Sequence, residues 1–144
     1  HASWDGSEFV CSDMAGVLTT PRVSTNKAFY LRKLNTYCYG LYSSQADQHS
    51  LAFWNETMGK KGCNEVISCA HRFFIVRNTG ATKLNWWGDN TSSQMHNQFV
   101  MLYNNELVRE DGFAFFNWID NKYSPPGHTV RLIILSFVTY FRCM

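Results

Sequence analysis

The chain is short of net charge: 13 Lys and Arg stand against 11 Asp and Glu in 144 residues, a formal balance of +2. A basic nucleic-acid domain shows a clustered basic face and a pI above about 9. Here the basic residues are scattered, so charge alone does not announce a polyanionic partner. Proline (3) and glycine (9) are few while 45% of residues are hydrophobic, which excludes the disordered, collagen-like and low-complexity classes. The five cysteines form an odd set with no C-x-x-C pair and no paired C…H spacing, so the zinc signatures are absent. No long apolar run exists either. The best stretch, Val130 to Phe141, is interrupted by Arg131, Ser136, Thr139 and Tyr140 and is too short to span a bilayer, so no membrane partner is expected. His1 is not a natural start residue and no charged-then-apolar leader follows it, so the chain is read as a processed form or a fragment. Its length allows one domain, residues 1–144.

The periodicity predicts an order of elements. Glu8 to Met14 alternates and reads as a first strand ending near an acidic residue, Asp13. Lys27 to Tyr42 is rich in Phe, Tyr and Leu without a helical stripe and suits a long second strand. Ser43 to Ser50 is a polar hairpin loop, and Leu51 to Trp54 a third strand. From Lys60 the period changes: Val66, Ala70, Phe73 and Phe74 recur at three and four residues, the mark of an amphipathic helix running to about Arg77. Lys83 to Gly88 is a fourth strand leading into Asp89. Phe99, Met101, Leu102, Leu107 and Val108 form a second helical stripe with a stop at Asp111-Gly112. Phe113 to Ile119 is a fifth, aromatic strand, and Asn121 to Gly127 a loop. The expected fold class is therefore α/β, a mixed five-stranded sheet in the order β-β-β-α-β-α-β with helices packed on it.

Three carboxylates occupy suggestive places: Asp13 at the end of the first strand, Glu65 at the start of the first helix and Asp89 at the end of the fourth strand. The ends of strands one and four can be neighbours in a mixed sheet. Two carboxylates held close repel unless a cation lies between them, which favours a hard, oxygen-seeking Mg²⁺ or Mn²⁺. The two aspartates at strand ends also suit turn and helix-capping roles, since Asp89-Asn90-Thr91-Ser92-Ser93 is rich in capping side chains.

Five blocks in order carry a resemblance: Tyr30-Leu31-Arg32-Lys33-Leu34-Asn35, Trp54-Asn55-Glu56-Thr57, Gly62-Cys63-Asn64-Glu65-Val66-Ile67-Ser68-Cys69, Asp89-Asn90-Thr91-Ser92-Ser93-Gln94-Met95-His96-Asn97 and Pro126-Gly127-His128-Thr129. Together they span roughly Glu8 to Thr129. They resemble a eukaryotic transposon-associated domain family with Y-x-R-x-L, W-x-E, R-G-x-x-E-V-x-S-C, D-N-C-x-x-Q-N-K-N and G-H-T/S blocks, itself similar to the ribonuclease H-like transposases and integrases. The resemblance implies that Asp13 and Asp89 are the first two metal-binding aspartates, with Mg²⁺ or Mn²⁺ as cofactor and Glu65 as a candidate extra ligand. It places His128 in the site as an acid or metal-shell group, and it puts Gln94 and Asn97 against the metal shell or nucleic acid. DNA is the implied partner and the nucleus the implied location. Local capping of the second helix explains Gln94 and Asn97 equally well, and a loop histidine bonded to backbone is a common arrangement for His128.

The pattern departs in two places. Thr91 stands where the family has Cys, and Met95-His96 where Asn-Lys is usual. More consequential is the end: in a ribonuclease H-like enzyme the last acidic ligand lies on a helix after the G-H-T block, yet Val130 to Met144 contains no Asp or Glu. The expectation is a C-terminally incomplete domain whose metal site lacks one carboxylate. His71, beside the apolar helix stripe, reads as a core-edge residue, and of Trp86 and Trp87 only one can face solvent if the strand alternates. Arg32, Lys33, Lys60, Lys61, Arg72 and Arg77 suit phosphate contact or a solvated surface. A reading from another class is a secreted, glycosylated binding module with two disulfides, built on the sequons Asn55-Glu56-Thr57 and Asn90-Thr91-Ser92. It requires cysteine pairs with Cα atoms within about 7 Å, Cys11 with Cys38 for example.

Overall fold

A computed structural model describes residues 5–21, 31–77 and 79–125. Six strands and two helices follow one another as β1 (Ser7–Met14), β2 (Leu18–Thr20), β3 (Leu34–Ser43), β4 (Gln48–Asn55), α1 (Cys63–Val76), β5 (Lys83–Gly88), α2 (Gln98–Val108) and β6 (Trp118–Tyr123). The class is α/β with a mixed sheet, as expected. β1 and β2 both lie along the same side of β3: Val10 to Met14 pair with Ser43 back to Tyr39, and Leu18 to Thr20 pair with Thr36 back to Leu34. They are one strand interrupted at Ala15-Gly16-Val17, which is why the sheet has six strands rather than five. Even inside the interruption Ala15 N–H donates to Cys38 C=O at 2.9 Å. Across space the sheet runs β4, β3, β1 with β2, β5, β6, the first three antiparallel and β1, β5 and β6 parallel to one another.

Alternation along the strands sends one set of side chains inward. Val10, Tyr39, Leu41, Trp54, Leu84 and Trp86 meet Val66, Ala70, Phe73 and Phe74 of α1 and Val100, Tyr103 and Leu107 of α2 in one buried cluster. Both helices thus cover the same face. Trp86 lies at its centre, fully buried and edge-on to Phe74 at 5.7 Å, while Trp87 turns to the other face, where the Lys122 ammonium sits 5.3 Å from its ring. His71 stands at the core edge, 4.5 Å from the Phe113 ring and with Nδ1 3.2 Å from the Tyr103 hydroxyl. At the entrance to β1 the buried Glu8 carboxylate accepts from the Ser43 and Thr79 hydroxyls, both at 2.6 Å, so its charge is met by donors.

The fifth-strand expectation needs correction. Phe113 to Phe116 is aromatic but not extended: Phe113 and Phe115 stack beside His71, and Phe116 is buried 5.4 Å from Phe74. These rings anchor the α2–β6 connection to α1, and the ladder starts only after Asn117 N–H donates to Thr82 C=O at 2.8 Å. Residues 121–123, expected in a loop, belong to β6. β3 begins at Leu34 and β4 extends from Gln48 to Asn55, so the hairpin loop is shorter than its polar composition suggested. The start of the expected second strand (27–30) lies outside the described residues. α2 ends at Val108, before Asp111-Gly112; the glycine is nevertheless required, because a Cβ on Gly112 would stand 2.6 Å from the Glu106 carbonyl oxygen.

Truncating Trp86 to Ala should destabilise the fold by about 3–5 kcal/mol, the range for removing a buried aromatic ring. Urea midpoints of the two proteins check this; a loss below about 1 kcal/mol would contradict the placement of Trp86 at the centre of the core.

Candidate functional site: the Asp13 and Asp89 carboxylates

Register brings the two aspartates together. Cys11 of β1 pairs with Trp87 of β5 in the parallel ladder, and two residues further along each chain stand Asp13 and Asp89, the latter the first residue beyond β5. Their carboxylates are close enough for the Asp89 charge to act on Asp13. Asp13 is half-buried and Asp89 exposed. Burial above all pushes the Asp13 carboxyl up to about 6, and the charge of Asp89 adds to this; the Met14 N–H, donating to Asp13 Oδ1 at 2.8 Å, and the Lys61 ammonium pull it the other way. Asp89 is oriented by its own loop, with the Thr91 hydroxyl donating to Oδ2.

That loop is tied down locally. The Thr91 carbonyl accepts from Gln94, Met95 and His96 N–H at 3.0–3.1 Å, His96 Nδ1 meets Asn90 Oδ1 at 2.7 Å, and the His96 ring stacks on Tyr123 of β6 at 4.6 Å. Met95 is buried against Gly88, where a Cβ would lie 2.8 Å from its methyl carbon. The Tyr39 hydroxyl reaches Met95 Sδ at 3.7 Å. Beneath the aspartates Trp86 Nε1–H donates to Ser12 Oγ at 2.9 Å, and Ser12 Oγ–H donates to Trp87 C=O at 3.4 Å. Burial, above the other influences, holds the Tyr39 hydroxyl in its neutral form.

The other expected site residues are placed differently. Glu65 does not join the aspartates: its Oε1 accepts from Lys60 N–H at 2.7 Å, and its side chain lies over Gly59 and Gly62. It closes the entrance to α1, where Gly62 supplies no side-chain cap, and its charge favours the helix N-terminus. Asn97 is the N-cap of α2, accepting from Phe99 and Val100 N–H at 3.0 and 3.1 Å. Gln94 is buried in the Asp89 loop, 7% exposed. His128, with the rest of the Pro126 to Thr129 block, lies outside the described residues. Among the described residues no three His, Cys, Asp or Glu side chains converge as a metal group, so the candidate centre is a pair of carboxylates. Lys61, Ser12 and Tyr39 complete its surroundings. Sequence reasoning did not single out Ser12 or Tyr39 and read Lys61 only as a phosphate or surface residue. The available signal was Ser12 itself, a polar residue at an inward position between Val10 and Met14.

The four described cysteines, Cys11, Cys38, Cys63 and Cys69, are free thiols; the Cys11–Cys38 disulfide is not formed. Cys143 lies outside the described residues. No protein-family model, no curated protein and no solved structure matches this chain.

Two outcomes follow. Because the folded-state pKa of Asp13 is raised from 3.8 to about 6, the folded protein binds the proton more tightly than the unfolded chain, and stability falls as pH rises through that window. Asp13→Asn should therefore match the native protein near pH 4 and exceed it above pH 6 by about 1–2 kcal/mol, discounted for partial exposure; urea midpoints at pH 4 and 7.5 measure this, and equal midpoints at both would refute it. Asn97→Ala should cost about 1 kcal/mol and Asn97→Ser, which restores a cap, much less. Thermal unfolding that ranks both substitutions as neutral would remove the capping role.

Proposed function

We propose that this chain is a ribonuclease H-like domain of transposable-element origin, whose intact relatives carry out divalent-metal-dependent DNA cleavage and strand transfer. The observation that carries the reading is the placement of Asp13 and Asp89 at the C-terminal ends of the adjacent parallel strands β1 and β5. Strand ends of this kind are where open α/β sheets present ligand sites. The element order supports the same reading: three antiparallel strands, counting β1 with β2 as one, then helix, strand, helix and strand.

The donor set fits a hard divalent cation. Asp13 and Asp89 would hold Mg²⁺ or Mn²⁺ through carboxylate oxygens, and a cation between them would offset the repulsion that helps keep Asp13 protonated. When bound, such an ion activates water or a 3′-hydroxyl and stabilises the leaving oxygen of a phosphodiester. The chain's own groups prepare the pair: the Met14 N–H and Lys61 favour the anionic form of Asp13, and the Thr91 hydroxyl fixes Asp89. With two carboxylates in the pair, we assign metal binding to this chain and only slight turnover. DNA as partner and the nucleus as location belong to this reading. The secreted disulfide module has less support, since the described thiols are unpaired.

Calorimetric titration of the full chain with Mn²⁺ should show saturable binding that Asp89→Ala abolishes and Asp13→Asn weakens at least about tenfold, the loss expected for one charged ligand. Nicking of supercoiled DNA, where detectable, should require Mn²⁺ and vanish in Asp89→Ala. Equal Mn²⁺ affinity in native protein and Asp89→Ala would overturn the proposal.

A further inference from the structure

A groove of about 340 Å³ opens on the helix-covered side of the sheet, between α1 and the β3–β4 hairpin. Its volume lies at the lower end of the range for small-molecule sites. Leu41, Ala52, Phe73 and Val76 form its apolar walls, and two guanidinium side chains, Arg72 and Arg77 of the α1 end, line it as well. Neither arginine takes part in an ion pair among the described residues. Arg77 Nε is buried and has no hydrogen-bond partner, which is costly for a group that is always charged. The buried Glu8 carboxylate borders a small void together with Arg77 and accepts from the Ser43 and Thr79 hydroxyls, but no ion pair joins it to Arg77 among the described residues.

The remaining polar lining adds no negative charge. The Ser68 hydroxyl donates to the Asn64 carbonyl at 2.8 Å. Burial, and then the charge of Glu65, push the Cys69 thiol up from its ordinary value, so it stays neutral at physiological pH. An apolar trough whose only charges are two unpaired guanidiniums is complementary to one kind of molecule. Its body must bury hydrocarbon against Leu41, Ala52 and Phe73, and its head must offer paired acceptor oxygens to the planar donors of arginine.

We propose that this groove binds a small anionic amphiphile, an apolar chain or ring that ends in a carboxylate. The carboxylate engages Arg72 and Arg77, and the hydrocarbon lies against the β3–β4 wall. The groove is lined by none of Asp13, Asp89 or Lys61, so this ligand site is separate from the carboxylate pair and stands whether or not that pair binds metal.

Decanoate is the probe and decanol its uncharged counterpart, each titrated into the full chain below its micelle-forming concentration and followed by calorimetry and by amide shifts of α1 and β4. Saturable decanoate binding is expected, with decanol at least about tenfold weaker, the worth of one charged hydrogen-bonded contact. Arg72→Gln and Arg77→Gln should each weaken decanoate by a similar factor while leaving decanol unchanged, and Arg72→Lys should retain part of the preference. Ala52→Phe, which fills the trough from the sheet side, should abolish binding of both; circular dichroism establishes that each variant is folded. Absence of saturable decanoate binding, equal affinity for decanoate and decanol, or binding unaffected by Ala52→Phe would each overturn the proposal. Binding of an acidic helical peptide with none of decanoate would overturn it in favour of a protein partner.

Discussion

The fold hangs on the pairing of β1 with a strand on each side. Toward β3 the pairing is antiparallel and joins residues 25 to 33 positions apart; toward β5 it is parallel and joins residues more than seventy positions apart, with Val10 opposite Trp86. That second pairing requires a crossover, which α1 supplies, and the crossover must bury its apolar stripe on the sheet it bridges. Trp86 is where these requirements meet. Its ring fills the space under α1, and its N–H must find a partner in a place without water; Ser12, on the neighbouring strand, provides it. The core and the aspartate pair therefore share one register, because the hydroxyl that satisfies Trp86 precedes Asp13 by one residue.

Much of this was legible in the residues. β1, β5 and α1 fall close to where alternation and the spacing of Val66, Ala70, Phe73 and Phe74 put them, because a buried face imposes its period on the chain. α2 lies where a helix was expected, but of the stripe read for it only Leu107 is buried, Phe99, Met101 and Leu102 being exposed while Val100, Tyr103 and Leu107 face the core. The misreadings have a common cause. Phe113 to Phe116 look like a strand by composition, yet aromatic residues bury area equally well from a loop, and here they pack on His71 and Phe74. The break within the first strand left no periodic trace because Leu18 to Thr20 is too short to show one. Of the site, the neighbourhood of Asp13 and Asp89 followed from their positions at strand ends. The role of Glu65 did not, since a carboxylate that could reach a cation and one that closes a helix entrance carry the same letter, and Asn97 was left between the metal shell or nucleic acid and capping of the second helix, of which the structure shows the cap. Hydrogen-bond geometry separates them: Glu65 is spent on Lys60 N–H, and Asn97 on two amides of α2.

The groove and the aspartate pair illustrate two ways of leaving charge uncompensated. At the pair, burial and then the neighbouring Asp89 charge raise the Asp13 carboxyl to about 6, so it takes up a proton more readily than an ordinary carboxyl. At the groove, the charges are guanidiniums that cannot give up a proton: Arg72 is exposed to water, while the buried Arg77 Nε lacks a hydrogen-bond partner. α1 links the two places: Glu65 at its first turn lies toward Lys60 and Lys61, and Arg77 caps its far end.

The position of β1 also has a kinetic meaning. A strand hydrogen-bonded on both sides releases its amides only when a large part of the molecule opens, whereas strands paired on one side only among the described residues, such as β4 and β6, can fray alone. Asp13 thus rides on one of the slowest-exchanging segments of the chain, while Asp89 begins a loop held to β6 by the stacking of His96 on Tyr123. Fraying of β6 would loosen that stack and free Asp89 to swing while Asp13 stays fixed. The separation of the two carboxylates then depends on β6, and a ligand that bridged them would slow hydrogen exchange in β6, far beyond its own contacts.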